Sequence, residues 1–173
     1  MSADEASGEP TASGGGASAG AGAAAQAFEE RLLTFEVGGS LYALPIANVL
    51  EVADVEPLAC IPTLPASTGG VVNLHGDALP VIRRAELFDV AEAGLPEPAQ
   101  LLVVAGRPDQ VARLGVPVDR IAGLVDGSGK ASRDGELVAE RRPIGGRVVG
   151  IVDPRVLVAR AREAIERALG PSE

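Results

Sequence analysis

A chain of 173 residues, 46% hydrophobic but only 2% aromatic, has the material for one domain whose core must be built from Val, Leu, Ile and Ala. A formal charge of −9 with no sustained run of Lys or Arg argues against a nucleic-acid or anionic-membrane partner, which needs clustered cations. The single cysteine, Cys60, rules out an intramolecular disulfide and fits a reducing compartment.

The first segment, Met1 to Ala27, is almost entirely Ala, Gly and Ser, with too little to bury to offset its ordering entropy, and is expected to be a disordered tail. Its acidic, small residues carry neither the basic nor the apolar region of a secretory signal. No apolar run in the chain is long enough to cross a bilayer, so the expected location is the cytoplasm. The folded domain is expected over residues 28–170.

Leu32, Leu33, Phe35 and Val37 predict a first strand, Gly38-Gly39 a hairpin turn, and Leu41, Tyr42, Leu44 and Ile46 its partner, with Pro45 at a bend or edge. A short helical turn over Ala47 to Leu50 fits the loose pattern that follows. Val49, Leu50, Val52 and Val55 alternate with Glu51, Asp54 and Glu56, as on an edge where a partner could meet apolar and acidic groups together.

The chain is organised around Ile61 to Leu87. Val71, Val72 and Leu74 form one apolar run, His75-Gly76-Asp77 the break, and Leu79, Val81 and Ile82 the return run, which is a hairpin pattern. Pro80 cannot donate to a ladder and is expected at the strand's start, on an edge or at a bulge. Ala91 to Ala99 reads as a loop, Leu101 to Ala105 as a strand buried on both faces, and Val111 to Val118 as its return. Asp119 is expected to form a turn at a strand end, and Asp126 to Asp134 a mobile surface loop. Strands over Leu137 to Val152 turn at Gly145-Gly146. One C-terminal helix then follows, capped by Asp153 with Pro154 in its first turn and ended by Gly170-Pro171. Roughly nine or ten short strands with glycine turns predict small β-barrels or a sandwich rather than an α/β fold.

Catalytic equipment is sparse. His75 is the lone histidine, with Asp77 nearby; an enzyme using the two would need a nucleophile, and none is marked. One histidine and one cysteine show no metal-ligand spacing, and no cofactor is expected. Gly127-Ser128-Gly129-Lys130 lacks the hydroxyl residue and the strand-to-helix setting of a phosphate-binding loop. Binding fits such a chain better than catalysis, and an enzyme is not expected.

From about Leu33 to Val158 the chain resembles the CheW-like coupling proteins of bacterial chemotaxis. The resemblance lies in four segments in order: FEVGGSLYALPIANVLEV, LPASTGGVVNLHGDALPVI, LLVVAGRPDQVARLGVPVDRIAGLVD and RPIGGRVVGIVDPRVLV. It implies a mainly β fold of two small five-stranded SH3-like barrels around a shared core. It also implies a non-catalytic adaptor joining the regulatory domain of a CheA-type histidine kinase to the cytoplasmic tips of methyl-accepting receptors. Matched to the family's motifs, Val49, Glu51 and Val52 correspond to a receptor-facing segment, and Gly70, Asn73, Leu74 and Gly76 to the central signature. His75 stands where the family usually has Arg, and Arg83 where it usually has Asp; both count as candidate partner contacts. Their departure leaves open a divergent member that binds only one of the two partners, in a non-flagellar pathway.

Overall fold

The computed structural model describes residues 30–111 and 113–170; the Ala/Gly/Ser-rich segment and Phe28 lie outside them. Ten strands form among the described residues: β1 (Arg31–Val37), β2 (Ser40–Pro45), β3 (Val49–Asp54), β4 (Gly69–Leu74), β5 (Asp77–Ile82), β6 (Gln100–Val104), β7 (Leu114–Val118), β8 (Arg120–Asp126), β9 (Val138–Ile144) and β10 (Arg147–Val152). They make two five-stranded sheets, in the orders β8-β1-β2-β10-β9 and β3-β6-β7-β5-β4. Two α-helices accompany them, α1 (Arg84–Phe88) and α2 (Pro154–Leu169).

Period-two alternation explains why strands are apolar on both faces. On β6, Leu102 and Val104 enter a core shared by both sheets, while Leu101 and Val103 enter a second cluster belonging to their own sheet. On β1, Leu33, Phe35 and Val37 face the shared core and Leu32 a third cluster, with Ala43, Val149 and Ile151. A flat sheet would leave its outer cluster in water. Because these residues are buried, each sheet must curl over its own cluster, which agrees with the expected pair of small barrels. The shared core closes under α2, whose Leu157, Ala161 and Ala164 recur at helical spacing.

The expected turns stand. Gly38-Gly39 joins β1 to β2, Gly145-Gly146 joins β9 to β10, and the Asp153 carboxylate caps α2 by accepting the Arg155 N–H at 2.9 Å. The short turn ahead of β3 is a 3-10 helix over Ile46–Asn48.

Three expectations need correction. A second helix, α1, follows β5: with only five residues it has no readable period, and burial of Leu87 and Phe88 in the shared core holds it. The return strand begins at Leu114 rather than Val111, which is 86% exposed in the preceding turn. Pro80 lies within β5, an interior strand, with no bulge. The β4–β5 ladder closes at Leu74↔Asp77, so alternation puts the Pro80↔Val71 pair at a non-hydrogen-bonded position. The missing N–H faces β7, with which β5 pairs at Val81↔Gly115.

Candidate partner-binding groove

β3 is an edge strand, paired with β6 on one side only. Buried Asn48 positions its start, its Nδ2 donating to the carbonyls of Ala105 at 3.0 Å and Gly106 at 3.3 Å beyond the end of β6. A register shift between Val49 and Glu51 bulges the strand at Leu50. Its polarity is then reversed from the usual pattern. Leu50 and Val52 are 43% and 42% exposed, whereas Glu51, opposite Val103, is half-buried over the second sheet's own cluster.

Facing β3 is the β4–β5 turn. His75 and Gly76 both take left-handed backbone conformations, φ 53° and 93°, which a two-residue hairpin of matching twist requires. Asn73 holds the turn, its Oδ1 accepting the Gly76 N–H at 2.8 Å. The turn aims His75 at β3, with Nε2 at 2.8 and 3.1 Å from the two oxygens of Glu51. A carboxylate only accepts, so Nε2 carries the proton. Between the two edges lies a groove of about 370 Å³ with Val72, Leu74 and Leu101 among its lining and Asp54 and Glu56 on its rim.

The structure therefore brings Glu51, Val52, Asn73, Leu74 and His75 to one groove, with Gly76 in its turn. Val49 lies half-buried against the shared core. Gly70 is buried beneath Ala59, where a Cβ would come within 2.7 Å of that residue's carbonyl oxygen. Arg83 stands at the far end of the hairpin, beyond the Gly69↔Ile82 pair, with its Nε donating to the Ala66 carbonyl. His75 and Arg83 therefore do not form one local charge arrangement. Leu101 also lines the groove; the sequence shows it only as part of a strand buried on both faces, with no local signal of a site residue.

His75 bonds to Glu51 rather than to Asp77. No group of three or more His, Cys, Asp and Glu side chains among the described residues could hold a metal ion. Cys60 is exposed. No helix among the described residues is long and apolar enough to cross a membrane.

Elsewhere, charge ties the elements together. Arg84, 3% exposed, pairs with Asp119 between β7 and β8, and Asp119 Oδ2 accepts the Gly38 N–H at 2.8 Å. Asp119 is thus both the expected turn residue and a link between the sheets. On β1, Glu36 takes Arg120 in a two-pronged bond at 2.7 and 2.8 Å and Arg147 at 2.8 Å. The hydrogen bonds from Arg120, then the one from Arg147, pull its carboxyl down to about 2.

The fold and groove define a small two-sheet β domain with an apolar, acidic strand edge. A family model described as a CheW-like domain matches residues 31–162. The chain belongs to the CheW-like domain family. It is similar to a "Chemotaxis protein CheW" of Treponema pallidum, 33% identical over 98 residues, covering 55% of this chain and 56% of that protein. It is also similar to a "Probable chemotaxis protein CheW" of Rhizobium etli, 29% identical over 99 residues, covering 56% of this chain and 61% of that protein. The chain thus spans little more than half the length of these curated relatives. Among solved structures, the scaffolding protein TtCheW from Thermoanaerobacter tengcongensis matches with a TM-score of 0.59 at 20% identity. That match covers 72% of this chain and 88% of the other, and bears on the fold.

Proposed function

We propose that this chain is a non-catalytic scaffold of a bacterial chemosensory array. It couples the cytoplasmic tip of a methyl-accepting receptor to the regulatory domain of a CheA-type histidine kinase, in the cytoplasm beside the membrane that holds the receptors. The domain responsible spans residues 28–170. The observation that carries the reading is the β3 edge, a strand paired on one side only that presents Leu50 and Val52 beside the Glu51–His75 groove. Such an edge is an invitation to pairing unless a partner covers it. Family membership and the printed names of the relatives, chemotaxis protein and scaffolding protein, support the same reading.

The test is titration of the purified protein with a receptor signalling-tip fragment and, separately, with a kinase regulatory domain from the same genome. Val52→Asp should weaken the receptor arm at least about tenfold while changing stability by no more than about 0.5 kcal/mol, because the side chain is already half-exposed. Binding to the kinase domain alone would favour a one-partner member of the family. Binding to neither would refute the coupling role.

A further inference from the structure

Among the described residues, every ion pair but one joins a carboxylate to Arg or Lys, cations whose charge is permanent near neutrality. The exception is His75 with Glu51, the contact that bridges β3 and the β4–β5 turn across the groove. Imidazole is the side chain that ordinarily changes charge between about pH 5 and 8. The His75 side chain is 72% exposed, so protons reach it freely.

We propose that docking in this groove is coupled to protonation of His75. The partner it fits lays apolar side chains on Val52 and Leu74, which line the groove, and brings no cation of its own to Glu51, whose two oxygens His75 already holds. This rests on reading the groove as the partner-binding surface. The charge inventory gives the sign. β3 contributes Glu51 and Asp54 to the groove and the segment after it Glu56; the hairpin contributes His75, with Asp77 at the start of β5, and no Arg or Lys lines the groove. A partner that covers it strips water from Glu51, and burying an unpaired carboxylate is strongly unfavourable. An imidazolium 2.8 Å away neutralises that charge. Neutral imidazole still donates through Nε2, but brings no positive charge to offset the carboxylate's. The charged contact also holds the β3 edge against the turn before the partner arrives, lowering the ordering cost of docking. Because coupling is reciprocal, docking draws a proton onto the site.

The experiment is calorimetric titration of the full chain with the receptor-tip fragment at about pH 6 and about pH 8, in two buffers of different ionisation heat, on wild type, His75→Arg and His75→Gln. Wild type should bind about three- to tenfold more weakly at the higher pH and take up protons in between. His75→Arg should bind tightly at both values, and His75→Gln weakly at both. Circular dichroism should show both variants folded, since the side chain is exposed. Equal pH dependence in all three forms, or tighter wild-type binding at the higher pH, would overturn the coupling while leaving the partner surface standing. No binding by any form at either pH would overturn both.

Discussion

Asp119→Ala should cost this protein a large part of its stability, because it strands a cation rather than removing a surface bond. Arg84 is 3% exposed and Asp119 10%, so the pair is shielded from solvent. Losing the carboxylate leaves the guanidinium with the Pro96 carbonyl at 2.8 Å and Glu92, 42% exposed, at 3.6 Å. Breaking one side of a buried pair typically costs about 3–5 kcal/mol. The Gly38 N–H also loses its acceptor, but Gly38 is exposed and water replaces the bond, so that loss adds little. Glu92 can swing partly into the gap, which places the expectation at the lower end, about 3 kcal/mol. That is a fifth to a half or more of the stability of an ordinary domain. Removing both charges together, as Arg84→Met with Asp119→Leu, should cost well under the sum of the single changes, because an apolar pair of similar volume needs no compensation. Urea unfolding followed by far-ultraviolet circular dichroism measures wild type, Asp119→Ala, the single changes Arg84→Met and Asp119→Leu, and the double variant; the chain has no tryptophan to report by fluorescence. A loss below about 1 kcal/mol for Asp119→Ala, or strict additivity in the double variant, would refute the reasoning.

Three further outcomes are expected. Glu36 has its folded value near 2 against an ordinary 4.5, so its contribution is fully present above the ordinary value and is lost as pH falls from about 4.5 to about 2. Melting temperature against pH should therefore drop less steeply across that window in Glu36→Gln than in wild type, and parallel curves would rule the clamp out as a source of acid sensitivity. Asp153→Ala removes the acceptor for the Arg155 N–H at 2.9 Å and the Ser132 N–H at 2.7 Å, and should destabilise by about 1–2 kcal/mol in denaturant unfolding. Gly70→Ala puts a Cβ within 2.7 Å of the Ala59 carbonyl oxygen, so the Ala59↔Val71 bridge must open. A loss of about 1–3 kcal/mol is expected, with faster amide exchange at Val71 as the specific mark.

What the sequence made legible was local. Gly-Gly pairs, alternating apolar runs and the Asp153-Pro154 start are decided by a few neighbouring residues, and the structure has them where the pattern puts them. What it hid is long in range. Glu51 and His75 are 24 residues apart, Arg84 and Asp119 35, and Glu36 and Arg147 111, and no local period announces such pairs. Helix α1 was hidden for the opposite reason: one turn is too short to show a period, and tertiary burial alone fixes it. The partial legibility of the groove follows. The β3 edge and the Asn73-to-Gly76 turn could be read from the chain, but that they face each other, and that Arg83 lies at the far end of the hairpin, could not.

The four sheet edges show why one strand is the place to look for a partner. β4 is covered by the bridge from Ala59 to Val71. β9 has the segment after β8 laid beside it, with Arg142 Nη1 donating to the Ser128 carbonyl at 3.3 Å and Lys130 at 3.9 Å from Glu140. β8 carries Arg120 and Asp126 at its two ends and a register shift in its middle, devices that discourage pairing. β3 has a bulge too, yet it turns Leu50 and Val52 outward and keeps its carboxylate half-buried at the groove. Moving apolar side chains out and a charge inward costs stability in an isolated domain. That arrangement becomes favourable when a second surface covers the two apolar side chains and His75 balances the carboxylate, as the proposed adaptor role requires.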